Sequence, residues 1–60
     1  MEFKLSFNMT TAAFDRDREV EQEIKRILLE VAQKVERGVT RTIIRDINGN
    51  KIGGWEITAD

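Results

Sequence analysis

The fold is decided by residues 39–57, VTRTIIRDINGNKIGGWEI, which read as two strands around a tight turn. Both halves of this stretch are rich in β-branched and aromatic residues, which favour extended backbone. Between them stands Asn48-Gly49, and both residues tolerate the positive φ angles of a two-residue hairpin loop. The stretch therefore predicts an antiparallel hairpin over residues 39–57.

Two registers of this hairpin are compatible with the turn. A two-residue loop gives two opposite-charge cross-strand pairs, Asp46 with Lys51 and Arg41 with Glu56. A three-residue turn with a bulge at the glycine would instead set Arg45 against Lys51, which is a like-charge pair. We therefore prefer the first register. The paired glycines 53 and 54 indicate a bulge or a close backbone approach in the last strand.

The preferred register divides the hairpin into two faces. One face carries Thr40, Thr42, Ile44, Trp55 and Ile57. The other carries Arg41, Arg45 and Glu56 together with an aliphatic stripe that consists of Val39, Ile43, Ile47 and Ile52. We assign the face with Trp55 to the core, because Trp brings the largest apolar area. The aliphatic stripe is then exposed, and we predict that it binds a second copy or another protein.

The residues upstream of the hairpin predict a strand and a helix. Residues 2–9 alternate, with Phe3, Leu5 and Phe7 on one side, as in a half-buried strand. Residues 15–37 show helical spacing, with an apolar stripe that consists of Val20, Ile24, Ile27, Leu28, Val31 and Val35. Asp15 is the predicted N-cap, and Gly38 the predicted left-handed residue after the helix. Leu29 points away from the stripe and is a candidate contact for a partner.

These elements predict one α+β domain over residues 1–60, with the order β-α-β-β. One long amphipathic helix packs on a three-stranded, mainly antiparallel sheet. The first strand could pair with the third in antiparallel fashion, or with the second in parallel through a right-handed crossover. The alternation of the first strand favours the antiparallel choice.

Composition excludes several functions. The chain has no His and no Cys, the residues that disulfides, ordinary zinc sites and most acid–base or nucleophilic catalysis use. The stretch Asp46-Ile-Asn48-Gly-Asn50 imitates the opening of a calcium loop, but Lys51 and Ile57 stand where that loop needs Gly and Glu. We therefore predict no enzyme, no cofactor and no metal. The longest apolar run, residues 27–29, is too short for a membrane span or a signal sequence, so the expected compartment is the cytoplasm.

Nucleic-acid binding is the alternative function. A net charge of −1 gives no overall attraction to nucleic acid. A local basic strip on the sheet could still contact phosphates, and its candidate members are Arg37, Arg41, Arg45 and Lys51.

The C-terminal half has a recognisable sequence texture. It runs through Glu23-Ile24-x-Arg26-Ile27-Leu28 and Val31-Ala32-x-x-Val35-Glu36-x-Gly38 to Arg45-Asp46-x-Asn48-Gly49-Asn50-x-Ile52-Gly53. This pattern resembles a group of very small, uncharacterised proteins of bacteriophages and prophages, over roughly residues 23–57. The resemblance implies a phage accessory protein that works by binding, in the cytoplasm of a bacterial host, and it carries over no functional residue.

Chain length points to self-association. A domain of 60 residues buries only about 60% of the surface of its unfolded chain, so its stability is marginal without help. Since disulfides and zinc are excluded, the remaining aids are good local packing, association through a face or a strand edge, or both. We therefore predict an interaction module that forms a homodimer and binds a protein partner whose identity the sequence leaves open.

Overall fold

The computed structural model describes residues 1–15 and 19–59 and confirms the α+β class. The chain forms β1 (Glu2–Phe7), a short 3-10 turn (Ala12–Phe14), α1 (Val20–Glu36), β2 (Arg41–Arg45) and β3 (Lys51–Thr58). The β-α-β-β order is as predicted. The helix packs on one face of the sheet.

The sheet has three antiparallel strands in the order β1-β3-β2, so β3 is central and both other strands are edges. The predicted antiparallel pairing of the first strand with the third is confirmed. Leu5 lies opposite Trp55, and Phe3 opposite Ile57. Directly opposed residues share a face, so the apolar side of β1 continues the Trp55 face beneath the helix.

The helix begins later than predicted, at Val20. Asp15 has extended backbone, with φ −61° and ψ 148°, and its N–H closes the 3-10 turn on the carbonyl of Ala12. The predicted N-cap role of Asp15 is therefore wrong. Phe14 is buried and stacks on Phe7 with ring centroids 6.2 Å apart, which fixes the chain in this turn before the helix can start. The predicted first turn also covers residues 16–18, which lie outside the described residues.

The C-terminus of α1 is as predicted. Gly38 has φ +90°, a left-handed conformation that other residues rarely adopt. Its N–H bonds the carbonyl of Val35, and the N–H of Val39 bonds the carbonyl of Lys34, both at 3.0 Å. These two bonds form a Schellman motif, which satisfies carbonyls that the helix end leaves open.

The turn of the hairpin differs from the prediction. The N–H of Gly49 bonds the carbonyl of Asp46 at 3.0 Å, and the N–H of Asp46 bonds the carbonyl of Asn50 at 2.9 Å. Gly49 has φ +87°, whereas no described residue other than glycine has a positive φ. This is a three-residue turn, so Arg45 lies opposite Lys51 and the predicted pairing of Asp46 with Lys51 is wrong.

A β-bulge at Ile52 then restores the predicted register for the rest of the hairpin. Ile44 lies opposite Gly53, and Arg41 opposite Glu56 as predicted. The extra residue turns the side chain of Ile52 to the helix side, where it is only 4% exposed. The predicted position of Ile52 in an exposed stripe is therefore wrong. The prediction that Trp55 faces the core is right.

Candidate interaction surface

A polar junction joins the start of α1 to the hairpin turn. Glu23 is buried, and it accepts hydrogen bonds from Arg26 Nε at 2.7 Å and from the backbone N–H of Ile47 at 2.8 Å. Arg26 also donates to the carbonyl of Arg45 at 3.0 Å and to Glu30 at 3.1 Å. The helix is thus hydrogen-bonded to the end of β2 and to the turn that follows it.

Asp46 organises the turn itself. Its carboxylate accepts the backbone N–H groups of Asn48 and Asn50, both at 2.9 Å, and the side-chain amide of Asn50 at 3.1 Å. The hydroxyl of Thr11, which lies 35 positions earlier in the chain, donates a fourth bond at 2.6 Å. These bonds account for the three-residue turn. The turn sets Arg45 against Lys51, but both side chains are exposed, so their electrostatic repulsion is weak. Arg45 also donates a hydrogen bond to the carbonyl of Gly49.

Both buried carboxylates are held in the charged form. The Thr11 hydroxyl, with further bonds from Asn50 and Asn48, lowers the pKa of Asp46 from 3.8 to about 2 against the opposing effect of burial. The Arg26 guanidinium, with the N–H of Ile47, lowers the pKa of Glu23 below its ordinary value of 4.5. Carboxylates with these hydrogen bonds and depressed pKa values serve structure, since neither can take up a proton near neutral pH.

The predicted aliphatic stripe is broken. Val39 and Ile43 are partly exposed as expected, but Ile52 lies in the core. Ile47 is exposed in the turn, where its backbone N–H is bonded to Glu23 of the helix. Only two of the four predicted members therefore remain together on the outer face of the sheet. Leu29, the other predicted contact, is exposed on the outer side of α1.

The predicted basic residues are all exposed, but they do not form one uninterrupted strip. Arg37 caps the C-terminus of α1, and Arg45 is bound to the turn through Gly49. Arg41 lies directly opposite Glu56, which in turn lies opposite Lys4 of β1. Lys4, Arg41 and Lys51 line a shallow trough on the outer face, with Gly54 in its floor.

An open apolar flank lies on the other side of the molecule. We use this name for Phe3, Leu28 and Val35, which are 50%, 47% and 39% exposed. Arg26 and Leu28 project on opposite sides of buried Ile27, because successive helical residues are about 100° apart. Arg26 reaches the end of β2, so Leu28 faces the opposite edge of the sheet, which is β1.

Phe3 completes this flank from the sheet. Its ring stacks on buried Trp55 with centroids 5.8 Å apart, yet half of its surface is exposed. The reason is geometric: three strands about 4.8 Å apart are wider than one helix about 10 Å across. The helix is tied to the β2 side by Arg26, so the β1 side of the core stays open. The flank was not predicted from the sequence, because the apolar stripe of the helix was expected to be fully covered by the sheet.

Comparison with known protein families, curated proteins and solved structures finds no match. Within residues 1–15 and 19–59, no helix combines the length and apolar character needed to cross a bilayer. The same residues contain no cluster of acidic side chains that could hold a metal ion.

Proposed function

We propose that this protein is a non-catalytic interaction module that forms a homodimer and acts by binding protein through its open apolar flank. The observation that carries the proposal is the exposure of Phe3, Leu28 and Val35 beside the core. Large apolar side chains grouped on one side of a small domain mark an interaction surface more often than scattered ones do. Burial of these residues would also add the stability that so short a chain lacks.

The chemistry of the charged groups supports a role without catalysis. A general acid or base needs a pKa near neutral pH, and the chain has no His or Cys to supply one. Its two buried carboxylates, Glu23 and Asp46, have lowered pKa values and are engaged in structural hydrogen bonds. The resemblance to small phage proteins agrees with such a role, and we propose a phage accessory protein in the cytoplasm of its bacterial host.

Photo-crosslinking in bacterial cells tests the interaction function. A benzophenone amino acid replaces Leu28 on the flank, and in a matched variant it replaces Leu29, which is equally apolar and similarly exposed but faces away. We expect a covalent protein adduct from position 28 and only background from position 29. Equal background from both positions would refute the proposal, whatever the oligomeric state.

Nucleic-acid binding is the second candidate, and one observation favours it. The trough on the outer face brings Lys4, Arg41 and Lys51 together, with Glu56 opposite Arg41 and with Glu2 in an ion pair with Lys4 at 3.5 Å. Single-strand binding also relies on aromatic rings that stack on bases, and Trp55 is buried on the opposite side of the sheet. Fluorescence anisotropy with a labelled oligonucleotide decides the matter. If this second function is correct, the protein binds the oligonucleotide at low salt, and the affinity falls steeply as the salt concentration rises. The Arg41→Glu variant should show no binding.

A further inference from the structure

We propose that a second copy of this chain adds to the free edge of β1 in antiparallel fashion, which forms a continuous six-stranded sheet with both helices on one side. This inference rests on the proposed interaction function and names its partner and geometry. A two-fold axis relates the copies, as in most homodimers, and in this arrangement the axis is perpendicular to the sheet.

The first support is the hydrogen-bonding state of β1. Backbone groups of an antiparallel strand point alternately toward and away from the neighbouring strand. The N–H of Asn8 bonds the carbonyl of Ile52 on the β3 side, so even-numbered residues of this segment face β3. The N–H and carbonyl groups of Phe3, Leu5 and Phe7 therefore point to the open edge, where a further strand can pair with those that it reaches.

The other edge of the sheet is protected. Arg26 donates to the carbonyl of Arg45 at 3.0 Å, which occupies one acceptor of β2. Arg41 and Arg45 bracket the strand, so two antiparallel copies of β2 centred on Ile43 would place arginines opposite each other. Charged residues and side-chain caps of this kind are a common defence of an edge strand. Strand addition is thereby directed to β1.

Symmetry and charge select one register. Because both helices lie on the same side, odd-numbered residues of β1 must oppose odd-numbered residues of the second copy. An axis at Lys4 would oppose the two lysines, and an axis at Leu5 would leave Glu2 and Lys4 opposite uncharged residues. An axis at Phe3 opposes Glu2 of each copy to Lys4 of the other and brings the two Phe3 rings together. Charge complementarity therefore favours the axis at Phe3.

The same axis closes the open apolar flank. Leu28 and Val35 line the side of α1 that faces β1, so the flanks of the two copies face each other across the axis. The chain exposes 4648 Å², whereas a folded monomer of 7.0 kDa is expected to expose about 4,000 Å². The monomer thus exposes more surface than its mass requires, and a second copy at this edge would cover part of it.

Light scattering after size exclusion, over a hundredfold range of protein concentration, tests the interface. We expect the wild-type chain to reach twice 7.0 kDa. Phe3→Lys should reduce it to a monomer, because two charges would meet at the axis. The matched control Leu29→Lys, which makes the same change at a similarly exposed position on the outer side of α1, should remain a dimer. Circular dichroism confirms that both variants are folded.

Charge reversal tests the register. Glu2→Lys should raise the dissociation constant about tenfold, because two attractive cross-strand pairs become repulsive. The double variant Glu2→Lys with Lys4→Glu should restore wild-type affinity. A wild-type monomer at every concentration, a dimer unaffected by Phe3→Lys, or a double variant as weak as the single one would overturn the proposal. A crosslink from position 28 to a different protein, together with a wild-type monomer, would remove this inference and the homodimer of the proposed function, and would leave only the binding of another protein through the flank standing.

Discussion

Replacement of Gly53 by alanine is expected to disrupt the sheet, because the neighbouring strand β1 lies very close to this position of β3. A Cβ built on Gly53 would collide with the carbonyl oxygen of Ser6 and would lie 2.6 Å from Cα and 2.7 Å from Cβ of Phe7. The φ angle of Gly53 is not positive, since Gly38 and Gly49 are the described residues with that feature. The obstacle is therefore steric, and it is made of backbone that cannot swing aside.

The size of the effect follows from these distances. Carbon atoms pack best at about 3.5–4.0 Å, so β1 must move away by about 1 Å near Phe7. Overpacking of this kind costs about 1–3 kcal/mol, and each ladder hydrogen bond that is lengthened beyond use adds about 1 kcal/mol. We expect a loss of about 3 kcal/mol. A 60-residue domain has a free energy of unfolding of about 3–9 kcal/mol, so the variant loses a large part of its stability.

Gly54 provides the matched control. An alanine there would meet the carbonyl oxygen of Thr42 at 3.2 Å and Cα of Ile43 at 3.8 Å, which small shifts can relieve. We expect Gly54→Ala to stay within about 1 kcal/mol of wild type, because reduced freedom of the unfolded chain partly offsets the contact. Urea titrations followed by the fluorescence of Trp55, at one protein concentration, measure both variants. Equal stabilities of the two variants would refute the close approach of β1 to β3.

Three further predictions concern the hairpin and the ends of the helix. In the same urea titration, Ile52→Ala should lower the free energy of unfolding by about 2–5 kcal/mol, because Ile52 is buried, whereas Ile43→Ala should lower it by less than about 1 kcal/mol. Equal losses in the two variants would contradict the bulge that buries Ile52. The lowered pKa values of Asp46 and Glu23 mean that their stabilising effect is complete above the ordinary carboxyl pKa values, 3.8 and 4.5. The free energy of unfolding should therefore fall as the pH drops below these two values and through about 2. The urea concentration at half-unfolding, measured at several pH values, should fall less steeply for Asp46→Asn than for the wild type. Gly38→Ala forces a side chain to adopt φ +90° and should cost about 1–2 kcal/mol, seen as a lower melting temperature; an unchanged melting temperature would argue against the Schellman motif.

Sequence reasoning found the fold class from the period of the apolar residues, whereas the antiparallel pairing of the first strand with the third was only the favoured one of two alternatives. It failed at the turn because it weighed only the charges of directly opposed residues. The three-residue turn is instead stabilised by four hydrogen bonds to the carboxylate of Asp46, and one of these comes from Thr11, 35 positions away. A contact of that separation depends on the finished fold. The prediction for Ile52 failed for the same reason, since the bulge that turns this side chain inward accompanies the longer turn.

The existence of an open apolar flank could have been predicted from the sequence. The apolar stripe of the helix spans at least 100°, from Ile27 to Leu28, and the first strand adds three large apolar residues. One helix cannot cover a three-stranded sheet of that width, so some of this apolar surface had to remain outside the core. What the sequence could not supply was the side on which it remains. That is decided by the bond from Arg26 to the end of β2.

The pairing of β1 with β3 also bears on the order in which the chain folds. Glu2 lies opposite Thr58, so this pairing joins the two most distant parts of the described chain. We expect the local β2–β3 hairpin to form early, and β1 to pair only after the long loop that contains the helix has closed. Until then the edge of β3 accepts β1 from any copy of the chain. At high protein concentration, exchange of β1 between two chains competes with closure within one, and the refolding protocol rather than the final energy determines the product.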